Sequence, residues 1–169
     1  MTFASVIRDW NPGHLFMSPW YWSCFLAWTA AQLIKLVRAA VRTHTVDFEY
    51  LVSTGGMPSA HSAMVMGLAT SIGLTEGFGS PLAMLAVGFA AITTFDAATV
   101  RRAAGEQAKV LNRIVGDLVK RHQLPSGQRL RELLGHTRTE VLWGMVLGIA
   151  VAVAVCHLWP AAEPPVPCP

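Results

Sequence analysis

Charge is scarce in this chain. Lysine, arginine, aspartate and glutamate make up 14% of the 169 residues, whereas soluble domains carry roughly a quarter. Apolar residues reach 53% and fall in long runs. This combination indicates a membrane protein, and no nucleic-acid partner is expected.

Other absences limit the organisation of the chain. The three cysteines form no disulfide framework and are interpreted as free thiols: Cys24, Cys156 and Cys168. Residues 1–18 lack the compact apolar core and the cleavage site of a signal peptide. No internal repeat or heptad array is present. We therefore expect one transmembrane helical domain over residues 1–160 and a Pro-rich tail over residues 161–169.

Four apolar segments are near the roughly 20 residues that cross a bilayer. They cover residues 20–40, 58–74, 81–100 and 141–159. Between the third and fourth, residues 101–122 have helical periodicity with one apolar face. The predicted fold is an all-α integral membrane protein. It has about four transmembrane helices plus a cytoplasmic amphipathic helical extension between spans three and four.

The basic residues predict the orientation. If the N-terminus lies outside, 12 of the 13 lysines and arginines fall on or near the cytoplasmic side, and only Arg8 does not. The positive-inside rule favours this arrangement. It predicts an integral protein of the inner (cytoplasmic) membrane, if the source is bacterial, with its polar site on the cytoplasmic side.

The segment Gly55-Gly56-Met57-Pro58-Ser59-Ala60-His61-Ser62 opens the second span. Pro58 suits the first helical turn, whose open N–H groups attract anions. His61, three residues in, could meet an anion docked there. Alternatively, His61 is a buried histidine that is hydrogen-bonded to a neighbouring helix.

A second histidine, His136, precedes the fourth span, with Glu140 four residues later. If the helix has begun by His136, the two residues share a helical face. The carboxylate would then orient the imidazole for nucleophilic attack. Alternatively, the segment is a helix start, with Thr137 or Thr139 as the N-cap and Glu140 favoured by the helix dipole.

Asp96 and Arg101 stand at the cytoplasmic end of the third span. A buried Asp96 needs a partner, and Lys35, Arg101 or a histidine could supply it. Arg101 could bind a phosphate through two hydrogen bonds. The alternative for the basic residues here, Arg102 among them, is contact with anionic lipid headgroups.

Several motifs together resemble the divergent branch of the type 2 phosphatidic acid phosphatase and vanadium haloperoxidase-related superfamily. They are S-T-G-G-M-P-S-A-H-S-A at 53–63, F-D-A-x-x-V-R-R-x-A-G-E-Q-A at 95–108, V-L-N at 110–112, and L-R-E-L-L-G-H-T at 130–137 followed by E-V at 140–141. The resemblance covers about residues 31–150.

The resemblance implies a role for each matching position. Ser59 and the Ala60 amide would bind phosphate, and His61 would protonate the leaving oxygen. His136 would attack phosphorus, with Glu140 orienting it. Lys35 and Arg42 have the K-x6-R spacing of the family's first motif, although Thr43 replaces the following proline.

The chain also departs from the family pattern. Ala60 replaces a glycine and Glu140 an aspartate. Arg131 lies one residue too near His136, and Arg101 is a candidate to replace the usual arginine. Four spans instead of six leave less scaffold, so a homodimer could complete the site.

The resulting hypothesis is a membrane phosphatase that hydrolyses a lipid phosphate through a phosphohistidine intermediate. Phosphatidylglycerophosphate, phosphatidate or a prenyl diphosphate is the expected substrate. Neither metal nor cofactor is required, because cationic side chains can stabilise the transition state. The alternatives are a non-enzymatic protein that binds or translocates lipid phosphate, and a structural membrane subunit whose basic face binds anionic lipid.

Overall fold

The fold is all-α. A computed structural model describes residues 13–43, 56–120 and 137–159, which form six helices. The helices are α1 (Gly13–Phe16), α2 (Pro19–Thr43), α3 (Ala60–Glu76), α4 (Pro81–Ala98), α5 (Val100–Lys120) and α6 (Arg138–Leu158). Within these described residues, three helical stretches are long and apolar enough to cross a membrane: α2, α6, and α4 running on into α5. The prediction of an all-α membrane protein is confirmed.

Helix α3 lies at the centre of the bundle. It packs against α2, α4 and α6, and ten of its 17 residues are buried. At 1.5 Å per residue it is about 25 Å long, shorter than a hydrocarbon core of about 30 Å. The second predicted span is therefore a helix, but one that is mostly covered by the other three.

The helices that surround α3 bury small side chains and expose large ones. The buried positions of α4 are Ala83, Ala90 and Ala97, spaced seven residues apart, while Leu85 and Ile92 are more than 70% exposed. A water-soluble protein would place such large apolar groups inside. Small residues at helix contacts and large ones facing outward are typical of bundles in lipid.

Close backbone approach holds α3 to its neighbours. A Cβ built on Gly67 would lie 2.8 Å from the Ser23 carbonyl oxygen of α2. On α6, Cβ atoms built on Gly144 and Gly148 would collide with the Ser59 and Ala63 carbonyl oxygens, respectively. These contacts fix the register of α2, α3 and α6.

One hydrogen bond links α2 and α3 at the end of the bundle opposite the candidate site. The Trp20 Nε1–H group donates to Thr75 Oγ1 over 2.7 Å. Tyr21, Trp22 and Phe25 pack ring against ring beside it, with centroid separations of 5.4–6.1 Å. The aromatic residues at the start of the first predicted span thus form a packed cluster.

Candidate functional site

The loop before α3 passes beside a buried lysine. Gly56 has φ +95°, in the left-handed region that favours glycine. A Cβ built there would lie 3.9 Å from both Cγ and Cδ of Lys35 in α2. Lys35 is only 6% exposed, so its side chain is buried within the bundle. The two segments that the family resemblance assigns to phosphate binding are therefore neighbours.

The first turn of α3 is capped by Ser59. Its Oγ accepts hydrogen bonds from the Ser62 amide at 3.4 Å and from the Ser62 hydroxyl at 3.0 Å. Both serines are fully buried. Pro58 therefore precedes the N-cap and does not occupy the first turn, contrary to the prediction. The amide of Ala60, the first helical residue, lies outside the intrahelical ladder.

The start of α6 is a capping box. Thr137 Oγ1 accepts from the Glu140 amide at 3.3 Å, and Glu140 Oε2 accepts from the Thr137 amide at 2.9 Å. Helix α6 thus begins at Arg138. The condition for His136 and Glu140 to share a helical face is not met, because position 136 precedes the N-cap. Of the two proposed caps, Thr137 is the one used.

A main-chain hydrogen bond joins these two helix starts. The Ser59 N–H group donates to the Glu140 carbonyl oxygen over 2.9 Å. Gly144, one turn further along α6, lets the helices approach this closely. The charge of the Glu140 carboxylate also acts on the Lys35 ammonium. Three segments that are distant in sequence, from α2, α3 and α6, therefore meet at one end of the bundle.

The remaining predicted residues are placed less centrally. His61 is the second residue of α3 and is exposed. Asp96, expected to be buried, is half-buried near the end of α4. Arg42 is exposed in the last turn of α2. The side chain of Arg101, and all of Arg131 and His136, lie outside the described part of the chain.

An open groove of about 530 Å³ lies beside the start of α6. It is lined by Ala98 and Thr99 at the end of α4, Ala103 and Glu106 of α5, and Arg138. Because Arg138 is the first residue of α6, the groove reaches the same helix start that carries Glu140.

The sequence matches the model of the family described as Divergent PAP2 over residues 16–151. This range contains every candidate site residue from Lys35 to Glu140 and most of the chain. This chain belongs to the divergent PAP2 family. The resemblance drawn from the motifs is confirmed.

A curated relative is the Uncharacterized membrane protein YuiD of Bacillus subtilis (strain 168). It is 38% identical over 139 residues, which cover 76% of this chain and 88% of the relative. Its name agrees with the membrane assignment. No solved structure matches the chain.

Sequence reasoning missed several residues of this divergent PAP2 protein that build the site. Ser62 holds the Ser59 hydroxyl, and Gly144 and Gly148 admit the α3 backbone. The spacing Gly144-x-x-x-Gly148 is itself a known signal of close helix packing in membranes. That signal was available in the sequence.

Proposed function

We propose that this divergent PAP2 protein is a membrane phosphatase that hydrolyses a lipid phosphate. The observation that supports the proposal best is the burial of Lys35 beside Gly56, where the starts of α3 and α6 meet. A buried lysine is rare unless it is paired or functional.

The electrostatics of this meeting point favour an anion. Each helix N-terminus carries roughly +0.5 charge, and two of them converge here. The two helix N-termini and Lys35 together carry a positive charge that exceeds the single negative charge of Glu140 by about one unit. A phosphate monoester would supply the missing negative charge and accept hydrogen bonds from open amides such as that of Ala60.

In the proposed reaction His136 attacks phosphorus, and the bond from phosphorus to the lipid oxygen breaks. His61 donates a proton to that departing oxygen, which leaves as the lipid hydroxyl. Water then attacks the phosphohistidine while His61 takes up its proton, and inorganic phosphate leaves. Lys35 and Arg101 would stabilise the charge on the phosphoryl oxygens, so the scheme needs no metal.

We further propose that the site faces the cytoplasm, as the distribution of basic residues favours. A cytoplasmic site suits lipids made on that leaflet, such as phosphatidylglycerophosphate or phosphatidate. Prenyl diphosphates have the same charged group on a different tail. The tails would lie between helices, in the bilayer.

A second candidate is a protein that binds or translocates lipid phosphate without hydrolysing it. Two contacts favour it. The Ser59 hydroxyl is buried against Ser62, and the Glu140 carboxylate caps its own helix. Both groups, which the family resemblance assigns to the reaction, already serve the helix starts.

Phosphate release from a panel of lipid phosphates in detergent separates these functions. We expect the purified wild-type protein to release phosphate and His136→Ala to lower the rate by at least about 10³-fold, because the nucleophile is lost. His61→Ala should be similarly impaired. His157→Ala is the matched control, since His157 is exposed in the last turn of α6, at the other end of that helix.

The same variants identify the alternatives. If the wild-type protein binds a lipid phosphate but releases no inorganic phosphate, the binding protein is favoured over the phosphatase. If the wild type neither binds nor hydrolyses any lipid of the panel, only the structural membrane subunit is left as a candidate.

Three variants at the α6 start separate capping from charge. Glu140→Gln keeps an acceptor for the Thr137 amide but removes the charge that faces Lys35 and that the family resemblance assigns to orienting His136. We expect a smaller loss of thermal stability than in Glu140→Ala, and a loss of phosphate release of about 10²-fold or more. Thr137→Val should lower stability by about 1 kcal/mol while the folded protein stays active. Glu140→Ala removes both the cap and the charge, so it should lower both the thermal stability and the rate of phosphate release. Full activity in Glu140→Gln would leave capping as the only role of this residue.

A further inference from the structure

Helix α5 exposes a row of large apolar side chains. Val110, Leu111, Ile114 and Val115 are each 36–58% exposed. Their spacing places them on one side of the helix. Among the described elements, α5 packs only against α4, which precedes it directly in the chain. The apolar side of α5 therefore has no protein partner within the part of the chain that the structure describes.

The opposite side of α5 is polar and basic. Lys109 and Arg113 lie one turn apart on it and are both exposed. Over Val100–Lys120 the sequence has five basic residues and two acidic ones. An amphipathic helix with lysine and arginine on its polar side is typical of helices that lie in a membrane interface.

The position of α5 directly after α4 places it near that interface. Helix α4 begins one of the stretches that are long and apolar enough to cross a membrane, and α5 continues this stretch after a single intervening residue, Thr99. Thr99 has φ −123° and ψ −68°, outside the helical values, so the helix axis can turn there. Ile114 is only about 20 Å of helix from this point.

We propose that α5 lies in the membrane interface on the side where α4 ends, bound to anionic phospholipid. Its apolar side enters the acyl chains, and Lys109 and Arg113 are level with the headgroup phosphates. The net positive charge of α5 favours anionic phospholipid as the partner of this helix. A second copy of the chain would cover the apolar residues equally well but would gain nothing from a net positive helix.

Spin labels on the full chain, reconstituted in vesicles, test the placement. Ile114→Cys and Gly116→Cys are prepared in a background without Cys24, Cys156 and Cys168. Gly116 is a suitable polar-side position because a Cβ built there meets no atom within 4 Å. We expect the label at position 114 to be accessible to oxygen and shielded from a water-soluble nickel complex, and the label at position 116 to show the reverse.

Two outcomes overturn the proposal. Equal accessibility of both labels to nickel would place α5 in water. Shielding of position 114 from both reagents, with spin–spin broadening, would identify a second copy as the occupant.

Charge reversal tests the lipid selectivity. Lys109→Glu with Arg113→Glu should reduce the membrane-bound population at position 114 in vesicles that contain phosphatidylglycerol. We expect the ratio of membrane-bound to water-exposed label to fall by about fivefold or more for each replaced residue. Each basic residue near an anionic surface contributes about 1 kcal/mol to binding. In pure phosphatidylcholine the reversal should have little effect. An equal response in both vesicles would contradict a specific role for anionic lipid.

Discussion

Lys35→Met is expected to lower phosphate release by about 10²–10³-fold and to weaken lipid phosphate binding. Methionine preserves the apolar stem that passes Gly56 but removes the buried ammonium group at the meeting point of α3 and α6. Loss of a preorganised electrostatic group has effects of this size on turnover. Phosphate release measured over a series of lipid concentrations would separate the effects on kcat and KM.

Arg38→Met is the matched control. Arg38 lies three residues further along the same helix and is exposed, so its replacement should leave release within about twofold of the wild type. Because Lys35→Met also leaves the Glu140 charge uncompensated, the double variant Lys35→Met with Glu140→Gln should recover stability. It should not recover activity. Full activity in Lys35→Met would contradict the proposed phosphate site.

Gly144→Ala is expected to destabilise the bundle by about 1–3 kcal/mol and to abolish activity. A Cβ at this position collides with the Ser59 carbonyl oxygen and approaches Ser62 Cβ to 3.0 Å. Backbone cannot yield as a flexible side chain would, so α6 must move away from α3. The Ser59–Glu140 hydrogen bond would then be lost. Thermal unfolding in detergent measures the first effect and phosphate release the second.

Gly88→Ala makes the same chemical change without the collision. Gly88 lies in α4, and a Cβ there meets no atom within 4 Å. Alanine has the higher helix propensity by about 1 kcal/mol, so this variant should match or exceed the wild type in stability. Equal stability of Gly144→Ala and Gly88→Ala would show that the α3–α6 contact is looser than described.

The helices could be predicted because their signals are local. Ser80 and Pro81 mark the start of α4, and its predicted end, residue 100, is two residues beyond the observed one. The predicted amphipathic extension corresponds to α5. The helix starts at the site were predicted less accurately, because side-chain capping determines where those helices begin. Ser59 and Thr137 each use a hydroxyl to begin a helix a few residues from where apolarity alone would place it.

The spatial arrangement of the site was only partly predictable. The motif resemblance brought Lys35 and Ser59 to one site, and the structure has Lys35, late in α2, beside Gly56 of the loop that leads to Ser59. The resemblance could not indicate that the Ser59 hydroxyl would cap α3 and accept from Ser62, because it assigns this serine to phosphate. The proposed nearness of His61 and His136 stays a prediction, because position 136 lies outside the described residues.

The hydrogen bond between Trp20 and Thr75 has a consequence for the depth of the site. It sets the start of α2 level with the end of α3. From Trp20 to Lys35 and from Thr75 back to Ala60 are both 15 residues, about 22 Å of helix, so Lys35 and the start of α3 are level too.

Helix α2 then continues for eight more residues, about 12 Å, to Thr43. The last two turns of α2 therefore extend beyond the level at which α3 starts. The exposed side chain of Arg42 lies on this extension. Lys35 and Arg42 are separated by seven residues, about 10 Å of helix, so the two cations of the K-x6-R spacing lie at different depths along the bundle.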